Sequence, residues 1–305
     1  MTDPSPSSAH AARRRAFDSV FRDDLFAGQT IVVTGGGSGI GRATAHELAA
    51  LGAHVVVTGR KADKLEAVAA EIAAHGGQAS VAAFDIRDED AVRGAVAGLV
   101  ERRGRLHGLV NNAGGQFPAP LLAISKRGFD AVVATNLTGG FLMMREVYLQ
   151  SMQAHGGAVV NMSADMWNGM PGMGHSGAAR AGMVNLTKTA AYEWASSSVR
   201  VNCVAPGWIA SSGLDTYQGP VRDLILGLKD HVPMRRLGLE AEVSSVICFL
   251  LSPAAAFITG ETIAIDGGAP LGTPVFPSIE HSGTPTYDAF KLAHAPKVLG
   301  DGEEG

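Results

Sequence analysis

Short β-branched runs alternate along the chain with longer stretches whose Ala and Leu recur at helical spacing. Residues 30–34 (Thr-Ile-Val-Val-Thr), 54–58, 79–84, 106–110, 158–162, 199–204 and 262–265 read as strands, most of them near-continuous apolar runs. Helices are predicted over 39–51, where Ala43, Ala45, Leu48 and Ala49 make the apolar face, over 61–75, and over 88–103 with Asp88 as N-cap. Further helices are predicted over 136–154, 176–197 and 240–251. Strands separated by helices of crossover length imply an α/β fold, a doubly wound parallel seven-stranded sheet with helices on both faces. In such a sheet ligands bind beyond the carboxyl ends of the strands.

This alternation occupies residues 26–271, which are expected to form one domain. Residues 1–25, polar and Pro/Ser-rich with Arg13, Arg14 and Arg15, are expected to be a flexible arm. No apolar run of signal-peptide type follows those arginines. The Gly/Pro-rich stretch 272–305 is expected to be an irregular tail or to drape over a neighbour. Residues 243–260 carry no charge, which raises a membrane question, but Ser252-Pro253 splits them into a helix, a turn and the approach to a strand.

With 25 Lys+Arg against 29 Asp+Glu the net charge is −4, so there is no basic surplus to neutralise a phosphate backbone, and nucleic acid is excluded as an expected partner. A hydrophobic fraction of 46% supplies one large core and excludes disorder for the body. Cys203 and Cys248 both lie in apolar runs and read as buried thiols of a reducing, cytoplasmic compartment.

The chemistry begins where the first strand ends. Thr34, Gly35, Gly37, Ser38, Gly39, Ile40 and Gly41 bridge that strand and the first helix. Glycines at 35, 39 and 41 let the backbone turn sharply and approach a pyrophosphate, which the unpaired N–H groups of the helix start then hold. This is the position a dinucleotide site demands; the bland alternative is a plain tight turn. An NAD site places a carboxylate at the end of the second strand, but this chain has Gly59, Arg60 and Lys61 there. Each cation gains about 3 kcal/mol beside a 2′-phosphate at ~5 Å and an effective dielectric near 20. The expected cofactor is NADP(H), against the alternative that both are solvated helix-start charges.

The spacing of Gly35, Gly39 and Gly41, followed by Asn111-Asn112-Ala113-Gly114 after the fourth strand, resembles the short-chain dehydrogenases/reductases over residues 28–268. The resemblance implies an adenine contact at Asp85 and Ile86 and a central-strand contact at Asn112, Ala113 and Gly114. It also implies a helix asparagine at Asn136, a nicotinamide-carboxamide loop at Pro206, Gly207, Trp208 and Ile209, and a closing strand at Asp266-Gly267-Gly268. Such enzymes assemble through paired helices, and the small residues that open helix 176–197 suggest a homotetramer, or at least a dimer.

The family's catalytic Tyr and Lys are absent. Aligned back from Asn185-Leu-Thr-Lys188, Ser176 stands at the Tyr position and Arg180 at the Lys position, with the usual Ser at Ser163 or Ala164. Arg180 can still bind a ribose and face negative charge, whereas an aliphatic hydroxyl is no acid near neutral pH. Asp165 and His175 are the nearby proton groups, with a loop-capping turn and a surface imidazole as their bland readings. Of the tyrosines, Tyr148 and Tyr192 read as packing, and Tyr217, in an expected lid, reads as a possible phenol or a substrate wall. Met166, Trp167, Met170, Met173 and Trp208 suggest an adaptable apolar pocket.

The altered centre resembles the peroxisomal trans-2-enoyl-CoA reductases, through His175 to Gly182 and the Gly-Gly-Gln-Phe-Pro run at 114–118, and the related 2,4-dienoyl-CoA reductases. Residues 165–175 and 21–26 resemble bacterial citronellol/citronellal dehydrogenases. The first resemblance implies C=C reduction of an apolar enoyl substrate such as a CoA thioester. The second implies alcohol or aldehyde chemistry on a terpenoid. A third reading is a dinucleotide-binding sensor without catalysis. The catalytic set expected is Asn136, Ser163, Asp165, Ser176 and Arg180, with no metal and no membrane partner.

Overall fold

The computed structural model describes residues 16–217, 220–271 and 280–300. The strands are β1 (Thr30–Thr34), β2 (His54–Gly59), β3 (Gln78–Ala83), β4 (Gly108–Asn111), β5 (Gly157–Met162), β6 (Val199–Pro206), β7 (Ile209–Ala210), β8 (Gly238–Leu239) and β9 (Thr262–Ile265). Seven of them form one sheet in the order β3-β2-β1-β4-β5-β6-β9, every neighbour pair parallel. β7 and β8 make a separate two-residue clip. The reversal of strand order lies between β1 and β4, where a doubly wound sheet opens its ligand crevice.

The helices in chain order are α1 (Gly39–Ala50), α2 (Ala62–Ala74), α3 (Glu89–Arg103), α4 (Lys126–Val133), α5 (Gly139–Val147), α6 (Gln153–His155), α7 (Gly174–Trp194), α8 (Pro220–Gly227), α9 (Glu240–Leu251) and α10 (Lys297–Gly300). Strand side chains alternate between two cores, as the pleat requires. Ile31, Val33, Val55 and Val57 pack with Leu48, Leu65, Ile72 and Ile247 of α1, α2 and α9. Val32, Val56 and Val159 pack with Val96, Leu99, Met143 and Met183 of α3, α5 and α7. Asp88 caps α3, accepting from the Ala91 N–H at 3.0 Å. Of the stretch 243–260, α9 takes the first part and a Ser252-capped turn the next, and no described helix is long and apolar enough to cross a membrane. Both cysteines are free and buried.

The long helix expected from Asn136 starts ten residues earlier, at Lys126, because the Ser125 hydroxyl caps it by accepting from Gly128 N–H at 3.1 Å. Its first turns bury only Val132, and the Lys126-Arg127-Gly128 start carries no apolar residue to mark it in the sequence. The helix then passes through π turns at Ala134–Thr138 and Tyr148–Met152. Gly139 and Gly140 allow the first of these to press inward: a Cβ on Gly140 would meet Met183 Cε at 2.6 Å. A buried amide relay holds it. Asn111 Nδ2 donates to the Gly140 carbonyl (2.7 Å) and to Asn161 Oδ1 (3.2 Å), and Asn161 Nδ2 donates to Thr187 Oγ1 (2.9 Å).

Residues 16–25, expected as part of a free arm, are tied down. Phe17 forms an antiparallel bridge with Phe290, the rings stacking at 5.7 Å, and Asp18 N–H and Lys291 N–H donate to the Ala289 and Ala16 carbonyls. Arg42 of α1 lies over the Phe290 ring and donates to the Leu292 carbonyl at 2.8 Å. Farther on, His294 Nε2 meets Asp215 Oδ2 at 2.8 Å. The described part of the tail is therefore a strap across its own domain, irregular until α10. The Arg13 to Arg15 run and residues 272–279 lie outside the described residues.

Candidate active site

β1 ends in a turn whose backbone only glycine suits at two points: Gly35 has φ +67° and Gly39 φ +57°. A Cβ on Gly41 would lie 2.4 Å from both Asn112 Nδ2 and the Gly35 carbonyl oxygen. The turn is knitted to the end of β4. Asn112 Nδ2 donates to the Thr34 carbonyl (2.9 Å), Ala113 N–H donates to Thr34 Oγ1 (2.9 Å), and Thr34 Oγ1 donates to the Val110 carbonyl (3.3 Å). Ser38 is the N-cap of α1 but makes no side-chain cap bond, so the N–H groups around Ile40 remain for an anion. Gly37 packs against Lys64 of α2. This cradle fits a pyrophosphate.

Arg60 and Lys61 are exposed where β2 gives way to α2, and Asp85 and Ile86 follow β3 beside them. The Asp85 carboxylate is held by Arg87 through a two-pronged bond that, with Arg60 nearby, keeps its pKa below the usual range. Ile86 is buried against Gly139. Gly207 sits against Asp266, and its N–H donates to the Ile265 carbonyl, while Ile209 is buried in the β7–β8 clip. The nucleotide positions read from the sequence thus gather along the carboxyl edge of β1, β2, β3, β4 and β6.

The expected catalytic residues separate into two groups. Asn136 lies in the first π turn, a feature frequent at functional sites, and clasps Gly115: Oδ1 accepts its N–H (2.8 Å) and Nδ2 donates to its carbonyl (3.0 Å). Arg180, on α7, is only 9% exposed. Its Nη1 donates to the Met162 carbonyl at 2.7 Å, its Nε has no partner, and no carboxylate among the described residues pairs with it. Burial lowers its pKa to about 10, so it stays a cation at neutral pH. Arg180 Nη2 and Asn136 Oδ1 lie 2.6 and 3.0 Å from where a Gly114 Cβ would be, so both side chains border that glycine. Asp165 follows β5, its N–H donating to the Pro206 carbonyl at 3.0 Å. Burial, and then the neighbouring Asp266 carboxylate, raise its pKa.

Ser163 and Ser176 both spend their hydroxyls on bonds within the protein. The Ser163 hydroxyl is buried and donates to the Arg180 carbonyl at 3.2 Å, tying the end of β5 to α7. Ser176 is fully buried; its hydroxyl donates to Gln116 Oε1 at 2.6 Å. His175 is no surface imidazole. It is wholly buried, its ring meets the Phe117 ring edge-on at 4.5 Å, and Nδ1 accepts the Ser176 N–H at 2.9 Å. Tyr148 stacks on Trp194, Tyr192 is exposed, and Tyr217 packs with Trp208 against Leu214 and Val298, so none of these three touches the Ser176–Gln116 pair. Gln116 is the residue that sequence reasoning missed. Its signal was indirect, since a buried serine in a tyrosine's place needs a partner for its hydroxyl. Exposed Phe117, Leu121, Leu122 and Trp167 rim two loops joined by the Ala119 N–H to Gly172 carbonyl bond. Among the described residues no group of three His, Cys, Asp or Glu stands together to hold a metal.

A family model described as enoyl-(acyl carrier protein) reductase matches residues 35–270. A peroxisomal 2,4-dienoyl-CoA reductase of Danio rerio is 33% identical over 257 residues, 83% of this chain and 85% of that protein. The solved citronellol catabolism dehydrogenase of Pseudomonas aeruginosa PAO1 is 60% identical with a TM-score of 0.76, covering 84% of this chain and 100% of that one. A protein of Beutenbergia cavernae described as an NAD(P)-dependent gluconate 5-dehydrogenase, with NADP bound at low occupancy, is 34% identical at TM-score 0.76, over 81% of this chain and 99% of its own. Likeness of this extent, on a sheet whose first turn is shaped for a pyrophosphate, makes the chain a member of the short-chain dehydrogenase/reductase family of oxidoreductases.

Proposed function

We propose that the protein is an NADP(H)-dependent reductase of apolar enoyl substrates, adding hydrogen across a C=C bond conjugated to a carbonyl or CoA thioester. The observation that carries this reading is a cleft with a buried, unpaired cation, Arg180, and no phenol beside it. Bound NADPH supplies a hydride to the β-carbon. The C=C electron pair then moves onto the carbonyl oxygen as an enolate, which Arg180 is suited to face in its dry setting. Asp165, kept protonated to higher pH by burial and by Asp266, supplies or relays the proton that completes the α-carbon. Ketone reduction would need a proton delivered to the oxygen itself, the task of the missing tyrosine. Phe117, Leu121, Leu122 and Trp167 suit an aliphatic chain.

The second reading is oxidation of a citronellol-type alcohol, favoured by the 60% identity to the citronellol catabolism dehydrogenase. Initial rates with NADPH on enoyl-CoAs and alkenals, and with NADP+ on terpenoid alcohols, separate the two. Tight NADPH binding with no turnover on any of them would leave the sensor reading.

For the cofactor, Gly59→Asp with Arg60→Ala should shift preference from NADP(H) toward NAD(H). A Cβ on Gly59 meets only Leu65, at 3.5 Å, so the carboxylate has room. Titration of both dinucleotides checks this, and equal affinity of the wild type for NADH and NADPH would refute the role given to Arg60.

For the proton, the raised Asp165 pKa gives a sign. The acid form is present below that pKa, so the enoyl rate is level at low pH and falls as pH rises through it. Asp165→Asn should remove that limb and lower kcat by about 10²-fold. An unchanged pH–rate profile would move the proton source elsewhere.

We also place the protein in the cytoplasm, where its two free buried thiols fit a reducing environment, as a homotetramer. Phe141 of α5, Leu149 of the second π turn and Tyr192 of α7, 39%, 54% and 86% exposed, offer apolar area for helix pairing. Light scattering at micromolar concentration should report four subunits, and a monomer would overturn the assembly.

A further inference from the structure

We infer that the side-chain amide of Gln116 is the hydrogen-bond donor to the substrate's carbonyl oxygen, and that Ser176 is the residue that positions it. This rests on the proposed reading of the cleft as one that develops negative charge on a substrate oxygen.

Three constraints converge on Gln116. The residue before it, Gly115, is gripped at both backbone groups by Asn136, at 2.8 and 3.0 Å. The residue after it, Phe117, sets its ring edge-on against the buried His175 imidazole, at 4.5 Å and 89°. That imidazole is itself fixed through Nδ1, which accepts the Ser176 N–H. The side chain is then pinned at one end, because the Ser176 hydroxyl donates to Oε1 at 2.6 Å. A hydroxyl facing a carbonyl oxygen must be the donor, so Oε1 is satisfied and the amide's orientation is set. Nε2, with two N–H groups, has no partner among the described residues, and Gln116 is exposed.

A planar amide held by its oxygen presents its nitrogen in a narrow range of directions. The buried cation stands close along the same loop, since Arg180 Nη2 borders Gly114, two residues before Gln116. A carbonyl oxygen placed between them would receive one neutral and one charged donor, the arrangement that stabilises an enolate. The amide breaks no bond in this step. As hydride adds at the β-carbon, the C=C electron pair moves to the oxygen, Nε2–H strengthens its hydrogen bond, and the proton that balances the charge goes to the α-carbon from an acid or water. Ser176 occupies the tyrosine's place in the fold but touches no substrate.

Gln116→Glu separates this role from that of a loop staple. A glutamate accepts the Ser176 hydroxyl as well as the glutamine does, so the staple survives. The group turned to the substrate changes from a donor to an anion. Kinetics use whichever of an enoyl thioester, an alkenal or a terpenoid alcohol the wild type turns over fastest, so an alcohol preference would sink the enoyl reading while the Gln116 comparison still proceeds on that alcohol. At neutral pH, Gln116→Glu and Gln116→Leu should each lower kcat/KM by about 10²–10³-fold, with NADPH affinity as in the wild type. The Glu variant should recover rate as pH falls and its carboxyl regains a proton; the Leu variant should not. Ser176→Ala should lower kcat about tenfold alone and cost nothing further in the Gln116→Leu background. Wild-type kcat/KM in Gln116→Glu at neutral pH, or a Ser176→Ala loss that adds in full to that of Gln116→Leu, would overturn the assignment. So would equal pH profiles for the Glu and Leu variants.

Discussion

Arg180→Met should abolish turnover and raise the melting temperature of the cofactor-free protein. The two effects share one cause. Arg180 is a buried cation whose Nε is unpartnered and which no described carboxylate neutralises. Holding such a charge away from water costs several kcal/mol even after local relaxation, and replacing it by an apolar side chain of similar length removes that cost. Against this stands one lost hydrogen bond to the Met162 carbonyl, worth about 1–3 kcal/mol if that oxygen is left bare. The balance favours the variant by a few degrees. Activity should move the other way, with kcat/KM falling by at least about 10³-fold and NADPH binding weakening, if the charge that strains the empty protein is, as proposed, the one that meets ribose and enolate. Paired thermal denaturation and steady-state kinetics check it. A variant both less stable and still active would show that Arg180 is a structural strut.

Ser176→Tyr should not restore carbonyl reduction. The site of Ser176 has no exposed surface, and its hydroxyl already meets Gln116 at 2.6 Å. A phenol there has to push aside Gln116 or the Phe117–His175 contact, and overpacking of this kind costs about 1–3 kcal/mol. Arg180, a wider planar fork than the family's lysine, cannot take up the lysine's place beside that phenol. The expected result is a loss of about 10²-fold in kcat/KM on the enoyl panel, the usual consequence of a misplaced donor. Aldehyde reduction should not appear, and NADPH affinity should hold within about twofold, because Ser176 has no part in the glycine turn. Aldehyde reduction gained by the variant would mark the site as an ordinary one in disrepair.

How much of this was legible in the sequence follows from which residues are buried on two sides. β1, α9 and β9 begin and end where the sequence places them, because each is an apolar run closed by polar or turn residues. The glycine turn was legible because Gly35, Gly39 and Gly41 recur at a spacing that only a tight strand-to-helix junction needs. The start of α4 was not: its capping serine precedes Lys126-Arg127-Gly128, a stretch that reads as loop until Val132 is seen to be buried. Nor was the burial of His175, since one imidazole among glycines and methionines carries no period. Ser163 and Ala164 could not be told apart, because a one-residue difference in loop length decides which of them matches the family's serine. Gln116 stayed hidden because an uncharged amide in a loop advertises no chemistry until its partner is known. The strap left one faint mark, the aromatics Phe17 and Phe21 at one end of the chain and Tyr287 and Phe290 at the other, set among charged residues.

That strap also orders events in time. Val20 N–H meets the Tyr287 hydroxyl across 267 residues of chain, and the Phe17–Phe290 bridge spans slightly more. Contacts of such separation carry the largest loop-closure entropy and form only after the sequence between them has folded. The strap is therefore expected to dock last and to leave first, opening at lower free energy than the sheet beneath it. Native-state hydrogen exchange should find the Asp18 and Lys291 amides, whose bonds close the bridge, exchanging together and well before those of β1 and β4. During each such opening Arg42 loses both the Leu292 carbonyl and the Phe290 ring, so the first turns of α1 are uncovered together with the strap.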